Sequence, residues 1–357
     1  MWSPNDVSEI LVVFCKIWTC FGLPVYKFNV QGNFCLEKSL TFFVLNLSIL
    51  TVGLLLHVVF IPVANNLWSH ISFCQYCIHY VQTFGIVIFS HVKRKEFEEI
   101  FNDLLAIESK IRLFGGGSFG YHKLGKELVV FVIQQSLLVT ILAIANFFTT
   151  AETTEIVLYL LGYYFGYLSN FHFGFFLLIM PKIGFKLYCD FINSINGQPV
   201  KNVMKMYGKL YSLPVSLVKT LQGFILLRVF STFTIATLDI FFAISLVIPQ
   251  ELPWFKTFCL IFVNILWLSG LLLNEFLILL YFEKMLEQKL VICRLIRNNR
   301  PVRYKYLDLI YLRFNHEPRH FTVCGLFPLK CTLIFSVVAG VATQVTYLFQ
   351  FVNKLEQ

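Results

Sequence analysis

The stretch CGLFPLKCTLIFSVVAGVATQVTYLFQFVN, Cys324 to Asn353, decides how this chain is read. From Leu329 to Phe351 it runs for 23 residues with Lys330 as its only charge. At the helical rise that is about 35 Å, enough to cross a bilayer. Thr332, Ser336, Gly340, Thr343, Tyr347 and Gln350 recur at steps of 4, 4, 3, 4 and 3, which places them on one stripe of the helix. A stripe of small and polar side chains on a membrane helix faces either another helix or water. Spacing leaves both readings open.

The rest of the chain has the same character. Its 357 residues are 57% hydrophobic, 17% aromatic and only 14% charged, with a mean hydropathy of +0.71, outside the range of soluble globular domains. The 40 Phe and several uncharged runs of about 20 residues indicate helical spans, because barrel strands alternate over shorter segments. The expected architecture is an all-α membrane protein with seven transmembrane helices, at about 39–63, 68–92, 128–149, 155–180, 222–248, 255–282 and 329–352. Ile10 to Cys15 is too short, is followed by Lys16, and lacks a small-residue cleavage site, so no cleavable signal is expected and the first span should act as the insertion signal. The aromatic, amphipathic piece from Ile10 to Phe21, with Trp2 and Trp18, is expected to lie against the cytoplasmic interface.

Charge placement orients the helices. Pro62 with Asn65 and Asn66, TTAETTE at 149–155 and IPQELP at 248–253 read as short turns. The long polar connections, 93–127, 183–220 and 283–328, all lie on the other side. Of the 29 Lys and Arg, only Lys256 and Lys354 fall with the short turns and the C-terminal tail. The other 27 lie on the opposite side, which places the N-terminus in the cytosol and the C-terminus outside. Helical pieces are expected in the cytosolic connections at 96–113, ended by Gly115 to Gly117, at 201–220, at 283–297, ended by Asn298 and Asn299, and at 302–315. The expected organisation is therefore an N-terminal segment with helices 1 and 2 (1–92), a cytosolic loop (93–127), helices 3 and 4 (128–180), a second loop (181–221), helices 5 and 6 (222–282), cytosolic anchor helices (283–328) and the last helix with its tail (329–357).

Several function classes are disfavoured. The net charge of +9 is explained by cytosolic basic residues facing anionic headgroups, without nucleic acid. His70, His79, His91, His122, His172, His316 and His320 are scattered, and no HExxH, GxSxG or phosphate-binding loop occurs, so no enzyme chemistry is expected. The ten cysteines sit mostly in or beside apolar segments, and the Cys74/Cys77 pair stands alone in a span, so neither a metal nor a cofactor is expected. The inverted orientation and the absence of a DRY-like triplet or an NPxxY motif speak against a G-protein-coupled receptor. No repeat with paired broken helices supports a transporter.

The candidate binding residues lie in the outer halves of the spans. Tyr159, Tyr163, Tyr164 and Tyr167 cluster on the fourth helix, and each carries an apolar ring with a polar tip. With Trp254, Asn264 and Trp267 on the sixth helix and His70, Gln75 and His79 on the second, they are expected to line an outward-facing pocket. Helix packing and an interfacial aromatic belt are the alternative. Asp239 on the fifth helix and Glu275 on the sixth are ionisable groups inside spans, suited either to contacting a polar ligand or to pairing with neighbours such as Arg228.

The C-terminal stretch resembles the signature of insect gustatory receptors. Gly325, Leu326 and Phe327 match the Gly-Leu-Phe that opens the last helix there, and Thr343, Gln350 and Phe351 match its close; Gln344 stands where the family has Tyr. The resemblance implies a ligand-gated, non-selective cation channel at the plasma membrane, a homotetramer or heteromeric tetramer in membrane lipid, gated by a small-molecule tastant. It further implies that the seventh helix of each subunit lines the pore, with Gln350, Tyr347 and Phe351 near the outer gate, Thr343 and Thr346 below, and the cytosolic helices forming an anchor. Insect odorant receptors are the related alternative.

Overall fold

A long apolar run satisfies its backbone groups away from water by forming a helix, and helices dominate this structure. The computed structural model describes every residue except 1–3, 21–22, 30, 38–40, 61–66, 115–119, 150–163, 172, 196–197, 248–253, 299–311, 313–319 and 356–357. In chain order come α1 (Val7–Cys20), the hairpin β1 (Tyr26–Phe28) and β2 (Phe34–Leu36), α2 (Thr41–Phe60), α3 (Leu67–Val92), α4 (Arg94–Leu113) and α5 (His122–Thr149). Then follow α6 (164–171), a π-helical turn (Gly174–Ile179), α7 (Met180–Ser194), α8 (Val200–Val247), α9 (Trp254–Asn298), the hairpin β3 (Thr322–Val323) and β4 (Phe327–Pro328), and α10 (Thr332–Leu355).

Among the described residues three helical segments are long and apolar enough to cross a membrane: Lys201–Ile244, Asn264–Ile292 and Thr332–Gln350. They match the expected fifth, sixth and seventh spans. α2, α3, α5 and the helices from 164 onward fall on the other four. α2 exposes Val44, Leu45, Ile49, Val52, Leu55, Val58 and Val59, an apolar surface that water does not favour. The expected turns around Pro62, at 150–155 and at 248–253, and the helical piece at 302–315 apart from Leu312, lie outside the described residues.

Two expected boundaries are absent. The segment 201–220 is no separate helix: α8 runs unbroken for 48 residues through Pro214. Proline has no N–H to donate to the carbonyl four residues earlier, which is Leu210 O, and Tyr188 Oη on α7 donates to that carbonyl at 3.3 Å. A long-range bond thus replaces the missing local one. Likewise 283–297 is the last part of the 45-residue α9, which ends at Asn298.

The N-terminal piece joins the core. Val7, Ile10, Leu11, Phe14, Cys15 and Trp18 of α1 are buried in the main core, so the helix packs into the protein through this face. The reason is aromatic complementarity: the Trp18 ring meets Phe176 of the π-helical turn at 4.3 Å and Phe97 of α4 at 6.0 Å between centroids. Glu108 of α4 completes the dock, accepting from Val7 N at 3.2 Å and from Arg112 Nη2 at 2.8 Å. Burial pushes its carboxyl above the usual range, against the pull of Arg112 and the Val7 N–H. The hairpin β1–β2, unforeseen in the sequence, is held to α4 by Asn102, which donates to Phe34 O at 3.0 Å and accepts from Phe34 N at 2.8 Å.

At the π-helical turn, a Cβ on Gly174 would sit 1.9 Å from the Phe131 ring of α5. Only glycine admits that approach.

Candidate functional site

Three helices of the bundle converge on a narrow cleft of about 40 Å³. Gln75, Tyr76 and His79 come from α3, Ile235 and Asp239 from α8, and Asn264 and Trp267 from α9. Steps of three and four residues on each helix put these side chains on one facing stripe. Gln75 Nε2 donates to Asp239 Oδ1 at 2.5 Å, while Asp239 Oδ2, also buried, has no hydrogen-bond partner. His79 Nδ1 lies 3.3 Å from Gln82 Oε1, to which Ser169 Oγ also donates at 3.3 Å. The edge of the His79 ring meets Trp267 with centroids 6.0 Å apart, which fixes one wall.

Five of the expected pocket residues, Gln75, His79, Asp239, Asn264 and Trp267, are brought together here. Tyr164 and Tyr167 are not. Tyr164 is 45% exposed, and Tyr167 Oη lies 3.2 Å from Ser136 Oγ of α5, away from the cleft. Trp254, at the start of α9, is 80% exposed and does not line it. Tyr159, Tyr163 and the His70 side chain lie outside the described residues. Tyr76 and Ile235 were missed; Ile235 precedes Asp239 by one helical turn, and that spacing is a signal the sequence carries.

Glu275 has the structural role. It accepts from Arg228 Nε and, at 3.2 Å, from Thr232 Oγ1, while Arg228 Nη1 donates to Asn170 Oδ1 at 2.5 Å. The guanidinium also lies over the Phe173 ring, 5.2 Å from its centroid. With Arg228 only 2% exposed, this is a desolvated ion pair whose charges are matched inside the subunit. Beside it, Thr232, Glu275, Leu329, Leu333 and Val337 border a small apolar void of about 20 Å³ between α8, α9 and the first turns of α10.

α10 sits on this bundle through one apolar stripe. Val341 and Val345 are buried with Ala236, supported by Val337, Phe349, Phe233, Ile240 and Leu268. The Phe349 ring meets Phe241 at 5.0 Å. Thr332, Ser336, Thr343, Thr346, Tyr347 and Gln350 are exposed, and Tyr347 is 61% exposed. Gly340 is the exception in the expected polar stripe: a Cβ there would lie 2.9 Å from Phe233, so it marks the packed edge. The hydroxyls of Thr343 and Thr346 donate to Ala339 O and Ala342 O, both at 2.9 Å. The Phe351 side chain lies outside the described residues.

The Gly-Leu-Phe of the C-terminal signature does not open α10. Cys324 (φ 50°) and Gly325 (φ 71°) form the tight turn of the β3–β4 hairpin, closed by Leu326 N donating to Val323 O at 2.8 Å. Two consecutive left-handed residues make a type I′ turn, where glycine is favoured. Phe327 pairs with Val323, and the helix begins only at Thr332.

The family model of the 7tm chemosensory receptors matches residues 13–354, and the chain belongs to that family. Two solved structures share its fold. The insect olfactory receptor OR5 from Machilis hrabei superposes with a TM-score of 0.69 at 13% identity, covering 97% of this chain and 98% of that one. The same receptor in complex with eugenol gives 0.65 at 14% identity with the same coverage. No curated protein matches by sequence.

Proposed function

We propose that this protein is a gustatory receptor that works as a tastant-gated, non-selective cation channel of the plasma membrane. In this reading seven helices cross the bilayer with the N-terminus in the cytosol and the C-terminus outside. Four subunits, identical or related, place their α10 helices around a central path for cations. One observation carries the proposal: α10 packs on its own subunit through valines and turns its threonines, Tyr347 and Gln350 outward. An amide facing hydrocarbon is costly, and four such faces meeting around water remove that cost.

Gating follows from the same arrangement. A small molecule entering the cleft between α3, α8 and α9 shifts helices on which α10 rests. Tyr347 and Phe351 then turn from the axis and Gln350 hydrates the path. The stripe carries no acidic residue, so selectivity among cations is weak. The anchor is built from 93–127, 181–221 and 283–328. An odorant-receptor role is the second reading, favoured by the fold shared with OR5, a relative solved in complex with a small molecule.

Whole-cell recording from cells expressing the chain tests the pore. Tyr347→Ala is expected to raise basal current and Gln350→Ala to change evoked conductance. Unchanged basal and evoked currents in both variants, at equal surface expression, would remove α10 from the ion path.

A further inference from the structure

The cleft carries an unfinished electrostatic pair. Asp239 is 4% exposed, its Oδ1 is held by Gln75 at 2.5 Å, and its Oδ2 has no partner. A buried carboxylate is tolerated when a counter-charge or full hydrogen bonding offsets its desolvation. Among the described residues lining the cleft there is no Lys or Arg. Arg228, a cation on the same helix, is committed to Glu275 and Asn170. Around the open oxygen stand aromatic and apolar faces: Tyr76, Ile235, His79 and, edge to face with it, Trp267.

A single buried carboxyl group beside aromatic rings is the chemistry that recognises an organic ammonium, because an arriving cation stabilises the carboxylate as its ion-pair partner and the ring faces attract the remaining charge. The rest of the lining combines the Gln75 and Asn264 amides with the Tyr76, His79 and Trp267 rings and the Ile235 side chain. We infer that the cleft of this receptor takes a small protonated amine, with its N–H donating to Asp239 Oδ2 and its apolar body against Trp267 and Ile235. Gln75 acts as a positioning residue that aims the free oxygen. The inference rests on the reading of this cleft as the ligand site.

The test uses the full chain, purified in detergent, and a panel of small primary amines (benzylamine, 2-phenylethylamine, cyclohexylmethylamine), each paired with its alcohol and its N-acetyl derivative. Binding is read as a thermal shift and by calorimetry, and currents are recorded from cells. At least one amine is expected to bind about tenfold or more tightly than both neutral partners, and Asp239→Asn is expected to abolish that preference. Asp239→Glu is expected to retain part of it. The wild-type comparison of amine with acetamide needs no variant, so it decides the question even if Asp239→Asn fails to fold. If no amine is preferred over its neutral partners, the ammonium inference is overturned. If neutral compounds then evoke current that Trp267→Ala abolishes, the cleft remains the ligand site and only the ligand class is wrong. An amine that binds through Asp239 and evokes no current would instead uphold the inference and overturn the channel reading.

Discussion

At the scale of single residues, stability in this bundle depends on groups that only distant partners complete. Arg228 and Glu275 are each matched by the other, and both are removed from water. Removing one leaves a buried charge, at a cost of about 3–5 kcal/mol. Arg228→Met is therefore expected to lower the melting temperature of the purified receptor strongly, while Arg228→Met combined with Glu275→Gln recovers most of the loss. A double variant no better than the single would show that the pair is not the main partner of either charge. Tyr188 offers a finer test. It serves the Leu210 carbonyl that Pro214 cannot, so Tyr188→Phe should cost about 1–3 kcal/mol, the penalty of an unsatisfied buried acceptor. In a Pro214→Ala background, where an N–H returns, the same change should cost markedly less. Equal losses in the two backgrounds, read from denaturation midpoints, would disconnect the tyrosine from the proline.

At the scale of elements, α10 has two faces that answer to different measurements. Val345 lies in the packed stripe and Thr343 in the outward one. Val345→Asn buries an amide with no designed partner and should destabilise the protein by about 1–3 kcal/mol. Thr343→Ala removes a hydroxyl already bonded to its own helix and should leave stability within about 0.5 kcal/mol, while single-channel conductance changes. If Thr343→Ala destabilises as much as Val345→Asn, the outward face is a packing face. The sequence displayed this helix well, because its polar stripe is local and periodic. The same holds for the cleft, where Gln75, His79, Asp239, Asn264 and Trp267 stand out as polar or amphipathic residues in apolar runs. What periodicity cannot carry is pairing across distance. The burial of α1 against Phe97 and Phe176 and the passage of α8 through Pro214 both depend on partners far along the chain. The turn at Gly325 was hidden for a different reason: its two left-handed residues belong to a hairpin too short to show strand alternation.

At the scale of the whole molecule, orientation turns on where charge must be moved across the bilayer during insertion. Apart from Arg228 inside the fifth span, Lys256 and Lys354 are the only Lys or Arg residues that the proposed orientation puts away from the side of the N-terminus and the long connections, and loops rich in Lys and Arg are retained in the cytosol. In the proposed orientation α4, the first part of α8 and the last part of α9 extend on that same side. An inverted insertion would carry all of their charges through the membrane. Epitope tags at the two ends therefore have an asymmetric expected outcome: antibody reaches the C-terminal tag on intact cells and the N-terminal tag only after permeabilisation. The mobile-pore reading depends on this result, because Gln350 lies three turns nearer the C-terminal end of α10 than Gly340 and forms an outer gate only if that end is extracellular. Cysteine placed at Gln350 should then react with a membrane-impermeant thiol reagent applied outside. An N-terminal tag reached on intact cells, with position 350 modified only from the cytosolic side, would turn the receptor over and move the gate to the inner leaflet.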